Sequence, residues 1–524
     1  MVNTTVANGP SDQGVPLLVA TPDGGCYISW YHGVASGNDV RLQRLDAAGV
    51  AQFGSNGLLV ADRNFSSTVG HDLMIDAAGN ALLTFNDDRT GSNQICVTKV
   101  SPAGVQLWGN AGVTVSSGTL SKSNPHVAEL SNGDLIVGWT ENATMMFRRM
   151  GSDGTPLGAA FNVAETGHQL TVCDIQPSLN GSFIVWWTRS FTTNFMSNKA
   201  LYAQRYDAAY APLWPNTGSA PALVVYGPVS GDPWPTGSGT YPTQGGSVQI
   251  GYTPPMVPDG QGGAVFAWYE NVGPRGAYLQ HVLADGTMRF QLHGLPTVVT
   301  PTTRIRYSAA AAFDRDADEY FVASVEGDAS PQANYRSIVQ KFSGEGTRLW
   351  GAGGAEAQAN SGFQQSFTTC LTDGAGGCLV FGFDGRNAAS STHVLWGTRL
   401  NSSGTPLWAN FPSSVIEAKG RLAAVKSTQG FAILTFSGNR AGDPDVYAQN
   451  VTRDGALGPI APPCDADVNC DGATNGVDVE VQELAVGGDL ADYCLPDADF
   501  NLDGAVNGTD VEAVELVVGG APCP

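Results

Sequence analysis

Charge is scarce in this chain. Of 524 residues only 14% are Asp, Glu, Lys or Arg, against 42% hydrophobic residues, 66 Gly and 30 Pro. Such a composition excludes a disordered chain and leaves ample material for a large core. No apolar run approaches the ~20 residues of a membrane-spanning helix, and no charged-then-apolar leader follows Met1. A chain without a membrane span is therefore expected, in a mature form whose leader has been removed. Positive charge is the scarcer sign, with 26 Lys and Arg against 48 Asp and Glu. No basic stripe is available to a nucleic acid, so none is expected as a partner. The motifs GxSxG and HExxH and a phosphate-binding loop are also missing.

What charge there is lies unevenly. Residues 464–524 contain 14 Asp and Glu and no Lys, Arg or His, so these 61 residues carry −14 of the net −22 and the other 463 carry −8. A segment so acidic either stays unfolded or folds around cations. Four of the nine Cys fall there, Cys464, Cys470, Cys494 and Cys523. An even number in a small segment points to disulfides and an oxidising compartment. Three pairings are open, of which Cys464–Cys523 with Cys470–Cys494 is the favoured one. Cys26, Cys96, Cys173, Cys370 and Cys378 remain, and the last two flank the turn DGAGG, where they could bridge a hairpin.

The acidic segment repeats one spacing. DVNCDGATNGVD runs from Asp467 to Asp478 and DFNLDGAVNGTD from Asp499 to Asp510. A calcium loop needs oxygen donors at alternating positions, a Gly at the sharp bend and a closing carboxylate. Asp467, Asn469, Asp471, the Ala473 carbonyl, Asn475 and Asp478 meet that need in the first copy, with Gly472 at the bend. Asp499, Asn501, Asp503, the Ala505 carbonyl, Asn507 and Asp510 meet it in the second, with Gly504. The apolar-periodic stretches VEVQELAVGG and VEAVELVVGG that follow read as short helices stopped by Gly pairs.

This twin pattern resembles the dockerin module, which implies two bound Ca2+ ions and attachment to a cohesin-like or cell-surface partner. Cohesin-binding dockerins carry small hydroxylated residues at loop positions 10 and 11, where this chain has Gly476, Val477, Gly508 and Thr509. The Cys bracketing is similar to that of Cys-rich dockerin-like tails in environmental bacteria, which implies a secreted protein.

Residues 1–460 are a repeat. An apolar run ending in an aromatic and a polar turn recurs as CYISWYHG, ALLTFNDDRTG, LIVGWTEN, FIVWWTRS, AVFAWYEN, YFVASVEG, CLVFGFDGR and FAILTFSGNR. Anchored on Trp30, Phe85, Trp139, Trp187, Trp268, Ser324, Phe383 and Phe436, the spacings are 55, 54, 48, 81, 56, 59 and 53. A second apolar position follows each anchor: Phe53, Trp108, Leu157, Trp214, Phe290, Trp350, Trp408 and Leu457. Period-2 strands separated by Asp-Gly and Gly-Gly turns at this period predict four-stranded antiparallel blades. The fold class expected is all-β, an eight-bladed β-propeller with seven blades as the alternative, closed by the N-terminal strand VNTTVA, plus a small α-helical tail over 461–524. The repeats resemble propeller repeats of secreted bacterial proteins, best in ALLTFNDDRTG and DVYAQNV.

Register places His71, His126 and His168 at the start of the first strand in consecutive blades, with Arg306, Tyr307 and Arg421 entering from others. Imidazole, Tyr and Arg together suit proton abstraction beside a carboxylate, and some propeller polysaccharide lyases use such a set. The spacing of 81 marks an insertion whose Trp234, Tyr241 and Tyr252 offer a sugar-stacking platform. Two functions follow. One is a secreted, non-catalytic propeller that binds or displays a carbohydrate or surface ligand. The other is a carbohydrate-active enzyme, foremost a lyase of acidic polysaccharides, then a glycoside hydrolase.

Overall fold

The structure is a computed structural model that describes residues 3–64, 70–194, 196–217, 222–229, 247–248, 255–271, 276–298, 304–386, 392–428, 430–440 and 442–457, and in the tail 466–469, 471, 473–494, 498, 500 and 506–519. The chain divides into two compact units, residues 1–458 and 459–524. Among the described residues no helix is long and apolar enough to cross a membrane.

The larger unit is all-β. Six four-stranded antiparallel sheets follow one another along the chain, spanning residues 13–61, 71–114, 122–163, 170–226, 256–296 and 304–358, each with its strands in sequence order. A further sheet has seven strands, because the long strand Pro406–Lys426 pairs by its first half with Thr392–Leu400 and by its second with Ala432–Gly438. At the far edge of that sheet Thr4–Ala7 lies antiparallel to Asp445–Val451, so the two ends of the unit share one sheet. The first strands, Gln13–Ala20, His71–Ile75, Lys122–Glu129, Leu170–Pro177, Met256–Pro258, Arg304–Asp314 and Gln365–Thr372, neighbour one another in that order. The second half of Pro406–Lys426 follows and returns to Gln13–Ala20, giving a propeller-like course about one axis.

The anchors explain why the sheets stack. Trp30, Phe85, Trp139, Trp187, Trp268, Ser324, Phe383 and Phe436 each sit on the second strand of a four-stranded set, at no more than 1% exposure. A second strand has neighbours on both faces, so it reads as a continuous apolar run rather than an alternating one. ALLTFND and FIVWWTRS are buried at every residue. The apolar clusters accordingly form between sheets: Trp186 and Leu201 of one join Phe266 and Trp268 of the next.

The second recurring aromatic is a rivet between repeats. Trp350 lies against Gly404 of the following repeat and its Nε1 donates to the Ser402 carbonyl at 2.9 Å. Trp408 does the same to Gly455 and the Arg453 carbonyl at 2.8 Å, and Trp214 to Gly286 and the Ala284 carbonyl at 3.0 Å. These glycines hold φ of 81°, 85° and 85°. Each is required twice, once for its left-handed backbone and once because a Cβ would enter the indole.

Cys370 and Cys378, read as a possible bridge across their hairpin, are free buried thiols. The ladder pairs Cys378 with Thr372 and Cys370 with Val380, so the two do not face each other across the strands. Cys26, Cys96 and Cys173 are also free and buried.

In the smaller unit two helices, Gly476–Val486 and Gly508–Val518, bury Val481, Ala485, Ala513 and Val514 with Ala466 and Val468. The first begins three residues before the apolar stretch read from sequence, because Asn475 caps it. The Asn475 side chain accepts from Val477 N, and the Asp478 carboxylate accepts from Asn475 N in a capping box. Gly487 and Gly519 end the helices, as the Gly pairs predict.

The rivet sets a stability test. In Gly404→Ala the new Cβ would stand 3.0 Å from the Trp350 ring at φ 81°, and a loss of about 2–3 kcal/mol is expected in urea unfolding. At Gly133, φ 83° with nothing within 4 Å, Ala is expected to cost about 1 kcal/mol. Equal losses would mean that backbone conformation, not the indole contact, sets the requirement.

Candidate functional site

The axis is lined by first strands, and nearly every one is bulged. Val15, Asn124, Ser308, Phe367 and Arg421 hold φ of 55°, 51°, 58°, 52° and 54°, and Gly70 holds 52°. Ladder pairing skips at each of these non-glycine positions. A bulge frees a backbone N–H from its own ladder, and the neighbouring sheet supplies an acceptor. Asp72 Oδ2 accepts from Val127 N at 3.0 Å, Asp174 Oδ2 from Met256 N at 2.9 Å and Ser308 Oγ from Thr368 N at 3.2 Å. Thr140 Oγ1 accepts from Val172 N at 3.0 Å. Polar side chains thus stitch sheet to sheet around the axis.

Two of these stitches are carboxylates that act electrostatically on one imidazole. His126 Nδ1 lies 3.5 Å from Asp72 Oδ2, an ion-pair distance without hydrogen-bond geometry, and this buried nitrogen has no hydrogen-bond partner. Burial would lower the His126 pKa, but Asp72, and behind it Asp174, outweigh it and hold the imidazole above its ordinary value. Burial would raise Asp72, but His126 and the N–H groups of Val127 and Leu73 hold it below the usual carboxylate range. Asp174 goes the other way. Burial first, and the repulsion of Asp72, push it up to about 6 against the pull of His126. Near neutral pH one carboxyl is firmly ionised while the other keeps part of its proton, the separation that acid–base pairs require.

The residues read from sequence each meet different local partners. His71 heads its strand, but it is buried against the Tyr31 ring at 4.5 Å with Nε2 3.1 Å from Ser29 Oγ. Burial and the nearby Arg63 push it down to about 3, so it stays neutral. His126 stands five residues into its strand, past the bulge. His168 precedes its strand, with Nδ1 3.0 Å from the Ser190 carbonyl and Nε2 3.7 Å from Glu165. Arg306 is 1% exposed and spent on Glu326 at 2.8 Å, which also takes Arg304 and Arg336. The Tyr307 hydroxyl donates to the Gln365 carbonyl at 3.0 Å. Arg421 is exposed. Trp234, Tyr241 and Tyr252 lie outside the described residues. At the foot of that insertion, Tyr226 and Tyr278 hydrogen-bond to Glu270, whose burial pushes its carboxyl up to about 7.

Sequence reading passed over Asp72 and Asp174. The available signal was an acid at the same step, in GHD and VCD, of two first strands.

In the smaller unit the first loop closes on itself through oxygen acceptors. Asp471 N donates to Asp467 Oδ1 and to Asn469 Oδ1, both at 3.0 Å, and Asn475 Nδ2 to the Ala473 carbonyl at 2.8 Å. Asp478 and Asp510 are fully buried, in a segment without a single cationic side chain. Among the described residues no group of three or more His, Cys, Asp or Glu gathers as a metal site; the loop's other donors are Asn side chains and a carbonyl. Asp499, Asn501, Asp503 and Ala505 lie outside the described residues, and Asn507 and Asp510 repeat the capping box of the first helix.

No protein-family model and no curated protein matches the sequence. Among solved structures, an ulvan lyase of polysaccharide lyase family PL25 is similar over 86% of this chain and 96% of its own, at 8% identity and a TM-score of 0.45. Puromycin hydrolase is similar over 84% and 63%, at 13% and 0.42. An α-L-arabinofuranosidase from Fusarium graminearum is similar over 62% and 91%, at 10% and 0.37. None of these likenesses assigns a role to a residue of this chain.

Asp174 makes stability depend on pH. Its ordinary value is 3.8 and its folded value about 6, so between those values the folded chain holds a proton that the unfolded chain has released. Its contribution therefore falls as pH rises through that window, by at most about 3 kcal/mol. Thermal melts from pH 4 to 7 are expected to show this fall in wild type relative to Asp174→Asn; parallel curves would place the Asp174 pKa at its ordinary value.

Proposed function

We propose that the larger unit is an eight-bladed propeller, the seven-stranded sheet counting as two blades, and that it is a carbohydrate-active enzyme centred on Asp72, His126 and Asp174. The observation that supports this is a buried His126 Nδ1 3.5 Å from Asp72, with the Asp72 and Asp174 carboxyls driven in opposite directions by their surroundings. In that reading Asp174 gives its proton to the leaving oxygen of a glycosidic bond, water adds to the anomeric carbon as that bond breaks and releases its proton to solvent, and Asp72 holds His126 in position. Arg306 is engaged by Glu326 and the Tyr307 hydroxyl by the Gln365 carbonyl, so the reading is centred on His126 rather than on the wider set expected for abstraction next to a uronate. Incubation of the full chain with neutral and acidic polysaccharides is expected to release new reducing ends. Asp174→Asn and His126→Ala are expected to slow that release by about 10²–10⁴-fold.

A non-catalytic binding or display propeller is the second reading, favoured by the backbone bonds that Asp72 and Asp174 make to the next sheet. On that reading no glycan is cleaved and the same substitutions lower the melting temperature alone.

We further propose that the tail is a dockerin-like module that binds two Ca2+ ions and fastens a secreted protein to a cohesin-like or cell-surface partner. Two fully buried carboxylates without a cationic side chain in the segment support it, since oxygen-rich loops of this kind suit a hard divalent ion. Bound calcium would offset the mutual repulsion of the loop carboxylates, whose oxygens with those of Asn469, Asn475 and Ala473 would hold it. Cys494 is disulfide-bonded, in keeping with an oxidising compartment and with the Cys470–Cys494 pairing. A chelator is expected to melt residues 464–524 while the larger unit stays folded, and Asp467→Ala with Asp499→Ala to do the same. Limited proteolysis with and without calcium checks this, and equal protection of the tail in both would overturn it.

A further inference from the structure

Among the described residues 31 glycines take the left-handed backbone and only 13 other residues do. Five of those 13, Val15, Asn124, Ser308, Phe367 and Arg421, occupy one structural step, the bulge of a first strand at the axis. A β-branched, an aromatic and a long cationic side chain adopt this conformation against a steric penalty that Gly would remove. Backbone strain repeated at one step around an axis is the kind that persists where the side chain is used.

The bulges also adjoin one another. A Cβ on Gly70 would lie 3.3 Å from Asn124 Cα, and Ser308 Oγ binds the Thr368 N–H beside Phe367. Phe367 and Arg421, on neighbouring first strands, are the exposed pair. Phe367 is 44% exposed, one ring edge resting on Phe383 at 5.7 Å. Arg421 makes no ion pair or hydrogen bond among the described residues, whereas Asp72, His126, Asp174 and Arg306 on other first strands are committed to partners.

We infer that this pair of bulges is a subsite for an acidic sugar, the Arg421 guanidinium taking the carboxylate or sulfate ester and the Phe367 ring the apolar face of the pyranose. A guanidinium presents a planar fork that matches a carboxylate or sulfate oxygen pair, and an aromatic face beside it covers the sugar's C–H groups. Asn124 and Ser308, at the same step of other strands, supply hydroxyl partners. The inference rests on the carbohydrate reading above only in placing the glycan on the axis.

Calorimetric titration of the full chain with oligoglucuronate, a sulfated dextran oligosaccharide and neutral maltohexaose tests it. The chain is expected to bind at least one acidic probe and not the neutral one, and the tighter of the two acidic probes identifies the anion. Arg421→Gly and Phe367→Gly are each expected to weaken that binding by at least about tenfold. Their melting temperatures are expected to stay level or rise, because Gly relieves the left-handed strain, which separates lost recognition from lost folding. No binding of either acidic probe, equal binding of maltohexaose, or glycine variants that bind like wild type would each overturn the subsite. A chain that binds an acidic probe through Arg421 yet cleaves no glycan keeps the subsite and removes the catalytic reading; cleavage of neutral glycans alone does the reverse.

Discussion

A four-stranded sheet has two faces and can hide neither by itself. That constraint organises the larger unit, because burying both faces of every sheet requires a neighbour on each side and, at the ends, a closure. The chain meets it by placing its largest side chains on second strands, where they are covered twice, and by setting an aromatic of most repeats on a turn glycine of the next. Trp350, Trp408 and Trp214 combine an apolar contact over a glycine with one indole hydrogen bond. Each rivet is thus directional as well as adhesive, and it fixes how one sheet meets the next. The strand Thr4–Ala7 serves the same constraint at the last edge, where Asp445–Val451 would otherwise offer unpaired backbone groups.

These features were legible in the sequence because they recur. Outside the 81-residue step at the insertion, Trp30 and its counterparts stand 48 to 59 residues apart, and an apolar run seven or eight residues long has few readings once it repeats beside Asp-Gly turns. The join of the last two repeats was not legible. NFPSSVIEAKGRL holds Pro412 and Gly420, residues that commonly end a strand, yet one strand of 21 residues runs through both and serves two meanders.

The axial site was much less readable, for a geometric reason. A bulge shifts register by a residue, so the side chains that reach the axis or the next sheet cannot be counted from the strand's first apolar residue. His71 and His126 look equivalent in GHDLM and NPHVAEL, yet one is sealed against Tyr31 and the other lies 3.5 Å from Asp72 and feels the charge of Asp174. The bulges themselves are marked by Val, Asn, Ser, Phe and Arg rather than by Gly, and so give no turn signal. The polar turns were equally opaque: Glu270 reads as a solvated charge, whereas two tyrosines and a backbone N–H enclose it.

Asp72 and Asp174 bind architecture to chemistry. Each accepts a backbone N–H from the first strand of the following sheet, so each would be needed for the ring of first strands even if nothing reacted there. The same bonds fix where the carboxyls sit and how much water reaches them, and that burial is what drives Asp174 upward while His126 holds Asp72 down. A neutral acceptor would stitch the sheets as well, as Ser308 and Thr140 do elsewhere on the axis. Using a carboxylate costs desolvation that a hydroxyl avoids. At Asp72 and Asp174 the chain bears that cost where both charges act on His126, and this coincidence is what architecture alone leaves unexplained.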